Sequence, residues 1–391
     1  MKIAVVVHGR FHAFDLARAL LGRGNDVQVF TNYPVWAARK FGLPDAVVHS
    51  CWPHGVATRF VEKLGRRATE IAVPAVHTTF SKWAADRLKN EQWDVVHTFS
   101  GVGEDIFRSV RCNRHFLVRG SAHIRTQRQI LDDESTRSGV ELERPGEWII
   151  EREEREYQMC DRLLVLSTFA MKSFLERGVP TSKLALLPLG VDLRAFRPPE
   201  EVLERRRRRI LEGEPLTVLF TGTLNFRKGL YDIDRIIRSV DCKRFRFRVI
   251  GSIPPEAKEL VAKFPESVEF VPRQPQARLP EWYAGGDLFL FPTLEDGFAV
   301  VLTQAYAGAL PILTTANCAG PDIVRHGETG WILPIRNADA FIEQLRWCDE
   351  NREMVAGMID RIHDDFHARS WDHVAADFET IARETKEAQR G

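Results

Sequence analysis

The stretch 287–334, DLFLFPTLEDGFAVVLTQAYAGALPILTTANCAGPDIVRHGETGWILP, decides the fold of this chain. An apolar run ends at Pro292, the acidic loop 295–297 follows, and a helical pattern over 298–308 leads to a second apolar run at 311–315. This order of strand, loop, helix and strand is typical of a parallel sheet with helices on its faces. Its loops then lie at the carboxyl edge of the sheet, where α/β proteins bind their ligands.

The same alternation extends toward the N-terminus of the chain. It breaks once, after Pro188, where paired prolines and the basic cluster Arg205–Arg209 occur. Further short apolar runs predict strands at 2–7, 27–31, 94–98, 115–119, 162–166, 184–188, 216–222, 245–251 and 267–271. We therefore predict an α/β protein of two doubly wound, Rossmann-like domains that face each other across a cleft.

The break sets the predicted domain boundaries. The first domain covers residues 1–190, a linker covers 191–214, and the second domain covers 215–370. A final helical pattern over 371–391 is long enough to pack back on the first domain. The glutamates around Arg205–Arg209 favour a solvated linker helix over a surface for anionic lipid.

Composition limits the partners and the compartment. The chain has 391 residues, 44% hydrophobic and 28% charged, and its formal net charge of +1 gives no overall attraction for nucleic acid. The six cysteines are scattered without the short spacing of a zinc site, which indicates reduced thiols. The N-terminal apolar run is too short for a signal peptide, and no later run approaches a membrane span. We therefore expect a cytoplasmic protein without a nucleic-acid partner, and at most a weak peripheral contact with the inner face of the membrane.

The acidic loop and the helix after it predict an anion site. Gly297 lets the backbone approach a ligand closely, and the free amides where the helix begins, at Phe298 and Ala299, face the cleft. Asp296 and Gln304 are eight positions apart, so they could hold two parts of one elongated ligand. The alternative is that Asp296 caps the helix and Gln304 lies on the surface.

Two cations follow the first strand of the second domain, in LFTGTLNFRKGL at 219–230. The strand turns at Gly222 and Thr223 into a loop that ends with Arg227 and Lys228 before a helix. Cations at this position neutralise a diphosphate and stabilise a departing nucleoside diphosphate. The alternative is a solvated basic turn.

The first domain offers weaker signals. Gly9 follows its first strand and should present backbone N–H groups to the same diphosphate or to an acceptor. His123, in LVRGSAHIRTQ at 117–127, follows a later strand and would face the cleft, although a lone histidine is more often structural. Asp232 and Asp234 have the D-x-D form of a metal–nucleotide site, but in a helical pattern residues two apart point away from each other. We expect no metal site.

Together these motifs resemble the family 4 glycosyltransferases, a retaining family with the GT-B fold, over most of the chain. In that family one acid contacts the donor sugar and a second residue, eight positions on, hydrogen-bonds the nucleotide ribose. The resemblance places these roles on Asp296 and Gln304, with Glu295 as the alternative for the first. It also implies that Lys228 contacts the diphosphate and that His123 lies near the transferred sugar.

The chain departs from the family pattern at three of these positions. Asp296 and Gln304 replace the usual glutamates, and Thr223 replaces an arginine that contacts the diphosphate. Arg227 is the plausible substitute for the missing charge.

The resemblance implies a retaining, metal-independent hexosyltransferase that needs no cofactor. Its donor would be a UDP- or GDP-linked sugar, and its acceptor a glycan, a lipid or a small molecule. The catalytic candidates are His123, Lys228 and Asp296. The alternatives are an inactive nucleotide-sugar-binding subunit and an epimerase or phosphorylase of the same fold. A dinucleotide dehydrogenase is disfavoured because the first loop lacks G-x-G-x-x-G.

Overall fold

A computed structural model describes residues 1–387 and shows two separate parallel sheets. The first sheet has seven strands, β1 (Lys2–Val7), β2 (Asp26–Thr31), β3 (Val48–Ser50), β4 (Trp93–Phe99), β5 (Cys112–Arg119), β6 (Arg162–Val165) and β7 (Leu184–Leu186). Their order is β3-β2-β1-β4-β5-β6-β7. The apolar run of β1 lies at the centre, where Val5 pairs with Val29 on one side and His97 on the other.

The second sheet has six parallel strands. These are β8 (Leu216–Thr223), β9 (Phe245–Ser252), β10 (Glu269–Pro272), β11 (Leu288–Phe291), β12 (Ile312–Thr315) and β13 (Gly330–Leu333), in the order β10-β9-β8-β11-β12-β13. In both sheets the order reverses beside the first strand, which leaves a crevice at the carboxyl edge. The prediction of two doubly wound α/β domains is confirmed.

Helices cover both sheets. The first domain contains α1 (Ala13–Gly22), α2 (Val35–Arg39), α3 (Trp52–Lys63), α4 (Arg66–Leu88), α5 (Glu104–Ser109), α6 (Ile124–Ser138), α7 (Glu147–Met159) and α8 (Thr168–Glu176). They are followed by α9 (Glu200–Leu211), α10 (Leu230–Ser239), α11 (Lys258–Val261), α12 (Leu279–Ala284), α13 (Val300–Ala307), α14 (Gly320–Ile323), α15 (Ala338–Glu350), α16 (Arg352–Asp364) and α17 (Trp371–Glu387). Within residues 1–387, no helix has both the length and the apolar character that crossing a membrane requires.

Helix α9 occupies the predicted linker, but it is not a solvated helix. Leu203, Arg206 and Ile210 are buried. The Arg206 guanidinium donates to the carbonyl oxygens of Gly308 and Ala309 at 2.8 and 2.9 Å. Arginine can be buried here because the backbone carbonyl oxygens at the end of a helix accept hydrogen bonds from its N–H groups. The basic cluster is therefore partly structural, and α9 packs on the second domain.

Helix α17 lies against the first domain. Arg23, just after α1, pairs with Asp372 at 3.1 Å and with Glu379 at 3.3 Å. The Phe378 ring packs edge-on against His97, with ring centres 5.4 Å apart. After the second domain, the C-terminal helix α17 thus returns to pack on the first domain. Residues 388–391 of the predicted C-terminal helix lie outside the described residues.

Candidate active site

The two domains touch at a backbone contact between Gly297 and Gly120. A Cβ added at Gly297 would lie 2.1 Å from the Gly120 carbonyl oxygen and 2.8 Å from the Ser121 Cα. No side chain fits such a gap, so glycine is required for the domains to approach this closely. The contact places the acidic loop 295–297 against the loop that follows β5.

Glu295 bridges the domains with a fully buried carboxylate. From the first domain it accepts hydrogen bonds from the Ala122 amide at 3.0 Å and from Gln127 Nε2 at 3.1 Å. From the second domain, Arg227 Nη1 approaches the same carboxylate at 3.2 Å. A carboxylate buried without such partners would be strongly destabilising. Glu295 therefore depends on the closed arrangement of both domains.

A chain of polar side chains continues from Glu295 into the first domain. Gln127 Oε1 accepts from Arg119 Nη2 at 2.8 Å, and the Arg119 guanidinium forms an ion pair with Glu153 at 2.8 Å. The Tyr157 hydroxyl donates to Glu153 at 2.6 Å. Burial opposes the charge of Arg119, but Glu153 and Tyr157 raise its pKa overall. This chain of contacts could not be predicted from the sequence, because its members come from separate elements and share no motif.

Lys228 and Asp296 form a second ion pair, this one within the second domain. Lys228 Nζ also lies 3.4 Å from the Glu295 carbonyl oxygen. Burial lowers the pKa of Lys228, and the neighbouring Asp296 opposes that shift. Burial alone would raise the pKa of Asp296, but the charges of Lys228 and Arg227 lower it on balance. Asp296 is therefore ionised at neutral pH and compensates the buried ammonium group.

A tight turn aims Lys228 at the acidic loop. The Asn225 side chain accepts a hydrogen bond from the Lys228 amide at 3.0 Å. Gly229 follows with a φ of 85°, and a Cβ there would lie 2.1 Å from the Pro292 carbonyl oxygen. Only glycine allows the turn to pack on the end of β11 in this way. The alternative of a solvated basic turn is wrong for Lys228, which is buried, whereas the Arg227 side chain is 34% exposed.

The amides at the start of the helix are already occupied. Asp296 Oδ1 accepts from the Phe298 amide at 3.0 Å and from the Ala299 amide at 2.8 Å. Ala299 has a φ of 64°, and α13 begins at Val300 rather than near Phe298 as the sequence predicts. Asp296 thus caps the loop as well as pairing with Lys228. An anionic ligand would reach these amides in competition with that carboxylate.

Gln304 lies inside the second domain and is only 3% exposed. Its Oε1 accepts a hydrogen bond from the Tyr283 hydroxyl at 3.1 Å, which joins α13 to α12. The alternative that places Gln304 on the surface is wrong. Within residues 1–387, its hydrogen-bonding partner belongs to the core of the second domain and not to the two ion pairs.

Gly222 and Thr223 end β8 beside β9. Gly222 has a φ of 138°, and a Cβ added to Gly251 would lie 1.7 Å from the Gly222 carbonyl oxygen. The two glycines therefore let the strand ends approach closely. Thr223 is exposed, and its hydroxyl lies 3.1 Å from that of Ser252. This strand end is polar but uncharged.

His123 is the buried N-cap of α6. Its Nδ1 accepts from the Arg125 amide at 3.2 Å, while its own amide donates to Ser173 Oγ at 2.8 Å. Its ring packs edge-on against Tyr157 and Phe174, with centres 5.2 and 5.0 Å apart. Burial lowers the pKa of His123 to about 4, so the ring is neutral at pH 7. The adjacent Ala122 amide contacts Glu295, so His123 adjoins the interface through the backbone.

Gly9 lies apart from these residues, beside a cavity of about 390 Å³ in the first domain. With a φ of 99°, its amide donates to the Asn32 side chain at 2.7 Å. The cavity is lined by loops after β1 and β2 and by α3, including Gly9, Arg10, Phe11, Tyr33, Trp52 and Arg59. Helix α3 was not predicted from the sequence, so this wall of the cavity was not predicted either.

The D-x-D residues serve two separate ion pairs. Asp232 pairs with Arg137 of the first domain at 2.8 Å, and Asp234 pairs with Arg238 on the same helix at 2.8 Å. Across the part of the chain that the structure describes, no three His, Cys, Asp or Glu side chains form a group suited to a metal ion. Asp232 therefore contributes to the domain interface.

Comparisons with known proteins match both halves of the chain. Residues 10–195 match the family described as Glycosyltransferase Family 4, and residues 215–351 match the family described as Glycosyl transferases group 1. The putative colanic acid biosynthesis glycosyltransferase WcaL of Salmonella typhimurium is 25% identical over 206 residues, 49% of each chain. A GDP-mannose-dependent alpha-mannosyltransferase of Mycobacterium tuberculosis is 29% identical over 180 residues, 46% of this chain and 45% of the relative. The chain thus spans about half the length of the curated relatives it matches.

Solved structures agree on the fold. Anabaena Alr3699/HepE, determined with UDP and glucose, superposes with a TM-score of 0.67 at 12% identity, over 98% of this chain and 100% of that one. WaaG, a glycosyltransferase involved in lipopolysaccharide biosynthesis, gives a TM-score of 0.63 at 16% identity, over 96% and 99%. At these identities the likeness concerns the architecture, which is that of GT-B glycosyltransferases.

Proposed function

This chain belongs to the family 4 glycosyltransferases, and from that premise we propose that it transfers a sugar from a nucleotide diphosphate to an acceptor. The observation that carries the proposal is the pair of cations, Arg227 and Lys228, held where the acidic loop of the second domain meets the first domain. Fixed cations at the carboxyl edge of a sheet suit a diphosphate.

In the proposed reaction the bond between the anomeric carbon and the diphosphate oxygen breaks, and the nucleoside diphosphate leaves with the bonding electrons. An acceptor hydroxyl oxygen forms the new bond and gives up its proton to the departing diphosphate oxygen. Lys228 and Arg227 would stabilise the charge that develops on the leaving group. Because both cations are neutralised by carboxylates, the diphosphate must take over part of their coordination as it binds. We propose retention of anomeric configuration and transfer without a metal, as the family resemblance implies.

We propose that Asp296 orients the donor sugar and that His123 supports the first-domain wall of the same site. The lowered pKa of His123 argues against proton transfer by its ring at neutral pH, so a positioning role is the better assignment. Glu295 would hold the closed arrangement through its contacts with Ala122 and Gln127. Gln304 would act on the ribose only if its bond to Tyr283 is exchanged.

The donor class we propose is a UDP- or GDP-linked hexose. HepE was solved with UDP and glucose, and a mycobacterial relative is named as GDP-mannose-dependent. Both donors present the same diphosphate to the two cations. The nucleotide base and the sugar of the donor are therefore to be assigned by experiment.

A thermal-unfolding screen with UDP, GDP, ADP and their sugars tests donor binding. A ligand at a hundred times its Kd should stabilise the fold by about 2.7 kcal/mol. The proposal is wrong if no nucleotide raises the melting temperature. Binding without transfer or hydrolysis would support an inactive binding subunit, and conversion of the donor sugar without an acceptor would support an epimerase.

A further inference from the structure

Exposed apolar side chains concentrate in the first 71 residues of the chain, within the first domain. Of the thirteen large apolar side chains exposed within residues 1–387, seven lie between residues 11 and 71, and each is 55–73% exposed. They are Phe11, Trp36, Trp52, Val56, Phe60, Leu64 and Ile71. Large exposed apolar patches on soluble domains usually mark an interaction surface.

Helix α3 carries the centre of this patch on its outer face. Trp52, Val56 and Phe60 are spaced by four residues and therefore line one side of the helix. The opposite side packs on α4, where His54 Nε2 lies 3.0 Å from the Val76 carbonyl oxygen. None of the twelve residues of α3 is buried. Its apolar face is therefore open to a partner.

Cations border the apolar side chains. Arg59 and Lys63 lie on α3, and both are exposed. Lys40 Nζ lies 5.1 Å from the centre of the exposed Trp36 ring. The segment 52–71 has a net charge of +2. Arg66 is paired with Glu70 at 2.8 Å and with Glu141 at 3.2 Å. The exposed cations that remain for a partner are Arg59, Lys63 and Arg67.

This composition fits the surface of an anionic bilayer. Tryptophan and phenylalanine enter the boundary between head groups and acyl chains, while lysine and arginine reach the lipid phosphates. A second copy of the chain would instead bring two faces of the same positive charge together. The charge of the face therefore favours lipid over self-association.

We propose that α3, together with Trp36 and the start of α4, is a docking face for an anionic membrane. The cavity beside Gly9 shares Trp52 and Val56 with this face, so a docked bilayer would lie at the mouth of the cavity. The purpose of docking, which is to present a membrane-borne acceptor, rests on the proposed function. Docking itself requires neither donor nor turnover.

Co-sedimentation of the full chain with lipid vesicles tests the proposal. We expect binding to vesicles of phosphatidylcholine with phosphatidylglycerol, and little binding to phosphatidylcholine alone. The triple variant Phe60→Ser, Leu64→Ser, Ile71→Ser should lose at least about tenfold in bound fraction, because stable binding needs the burial of these side chains as well as the attraction to anionic lipid. These three side chains lie outside the cavity lining.

A matched variant removes the same number of exposed apolar side chains elsewhere. Leu175→Ser, Leu211→Ser, Met354→Ser should sediment like the unchanged protein, since these residues lie outside the patch. Thermal shifts with nucleotides report the fold and the donor site separately, and both variants should keep any shift that the unchanged protein shows. If no nucleotide shifts the melting temperature, the co-sedimentation result can therefore still be interpreted.

Three outcomes would overturn the proposal. The unchanged protein could remain in the supernatant with both kinds of vesicle, or it could bind neutral and anionic vesicles equally. Alternatively, light scattering could show a dimer that the patch variant loses and the matched variant keeps, which would identify the face as a contact between copies of the chain.

Discussion

The domain interface and the first-domain cavity hold their cations in opposite ways. At the interface, Arg227 and Lys228 are paired with carboxylates of the adjoining loop. In the cavity, the Arg59 guanidinium lies 5.6 Å from the Tyr33 ring centre and stays exposed. A ligand at the interface must displace protein contacts, whereas one in the cavity meets the Arg59 guanidinium, which is already accessible. The first site is therefore tied to the closed fold, and the second is independent of it.

The largest expected effect comes from removing the buried cation of the interface. Lys228→Ala should lower kcat by about 10²–10³-fold, because one fixed donor to the leaving group is lost. The measurement is the initial rate of sugar transfer with the donor found by thermal shift. Lys243→Ala, an exposed lysine of the same domain, is the control and should leave the rate unchanged. Equal rates for both variants would contradict a role for Lys228.

The next effect concerns the carboxylate that joins the domains. Glu295→Ala should destabilise the fold by about 3 kcal/mol, because the Ala122 amide loses its partner and Gln127 loses an acceptor. Urea denaturation measures the change. Glu295→Gln should cost less, since an amide oxygen can still accept from Ala122. A loss below about 1 kcal/mol for Glu295→Ala would show that the closed contact is not maintained in solution.

A smaller effect should appear as a pH dependence of stability. His123 has a folded pKa of about 4, below that of the unfolded chain near 6.5, so it is neutral in the fold. The stability that the neutral His123 ring contributes is therefore fully present above pH 6.5, and it is lost as the pH falls toward 4. Comparison with His123→Asn, which keeps an N-cap, should show a difference of about 1–2 kcal/mol in that window by urea denaturation. Parallel stability curves for the two proteins would refute the assignment.

The smallest effect is expected in the cavity. Arg59→Gln should change the free energy of unfolding by less than about 0.5 kcal/mol, because the side chain is exposed. It should also leave the nucleotide thermal shift unaltered. A lower nucleotide affinity in this variant would mean that the cavity and the interface are coupled. The cavity would then not be independent of the interface site.

The architecture was predictable from local pattern. Strands such as β1 and β11 are short apolar runs followed by glycine or proline and then by a helical pattern. The local sequence of each run is therefore enough to predict a strand. The segment 48–63 was not predicted, because β3 has only three residues and α3 buries none of its side chains. A helix that packs little apolar surface on its own domain leaves a weak periodic signal.

The members of the candidate site were predictable, but their pairing was not. The motif spacing identified Lys228 and Asp296 as separate candidates, and in the structure they form an ion pair. Glu295 was considered a substitute for its neighbour, yet it faces the other domain. Adjacent residues in a loop can point to different partners, and only the docking of two sheets decides which.

The seam between Gly120 and Gly297 consists of two peptide groups, and a peptide group has no rotamers. The contact therefore has no side chain whose rotamer could change to make room for a ligand beside it. A donor that is slightly too large would not be accommodated by a small local shift, since parting the seam also withdraws Glu295 from Ala122. Selection between donor sugars would then depend on whether the two domains can close completely around the bound donor.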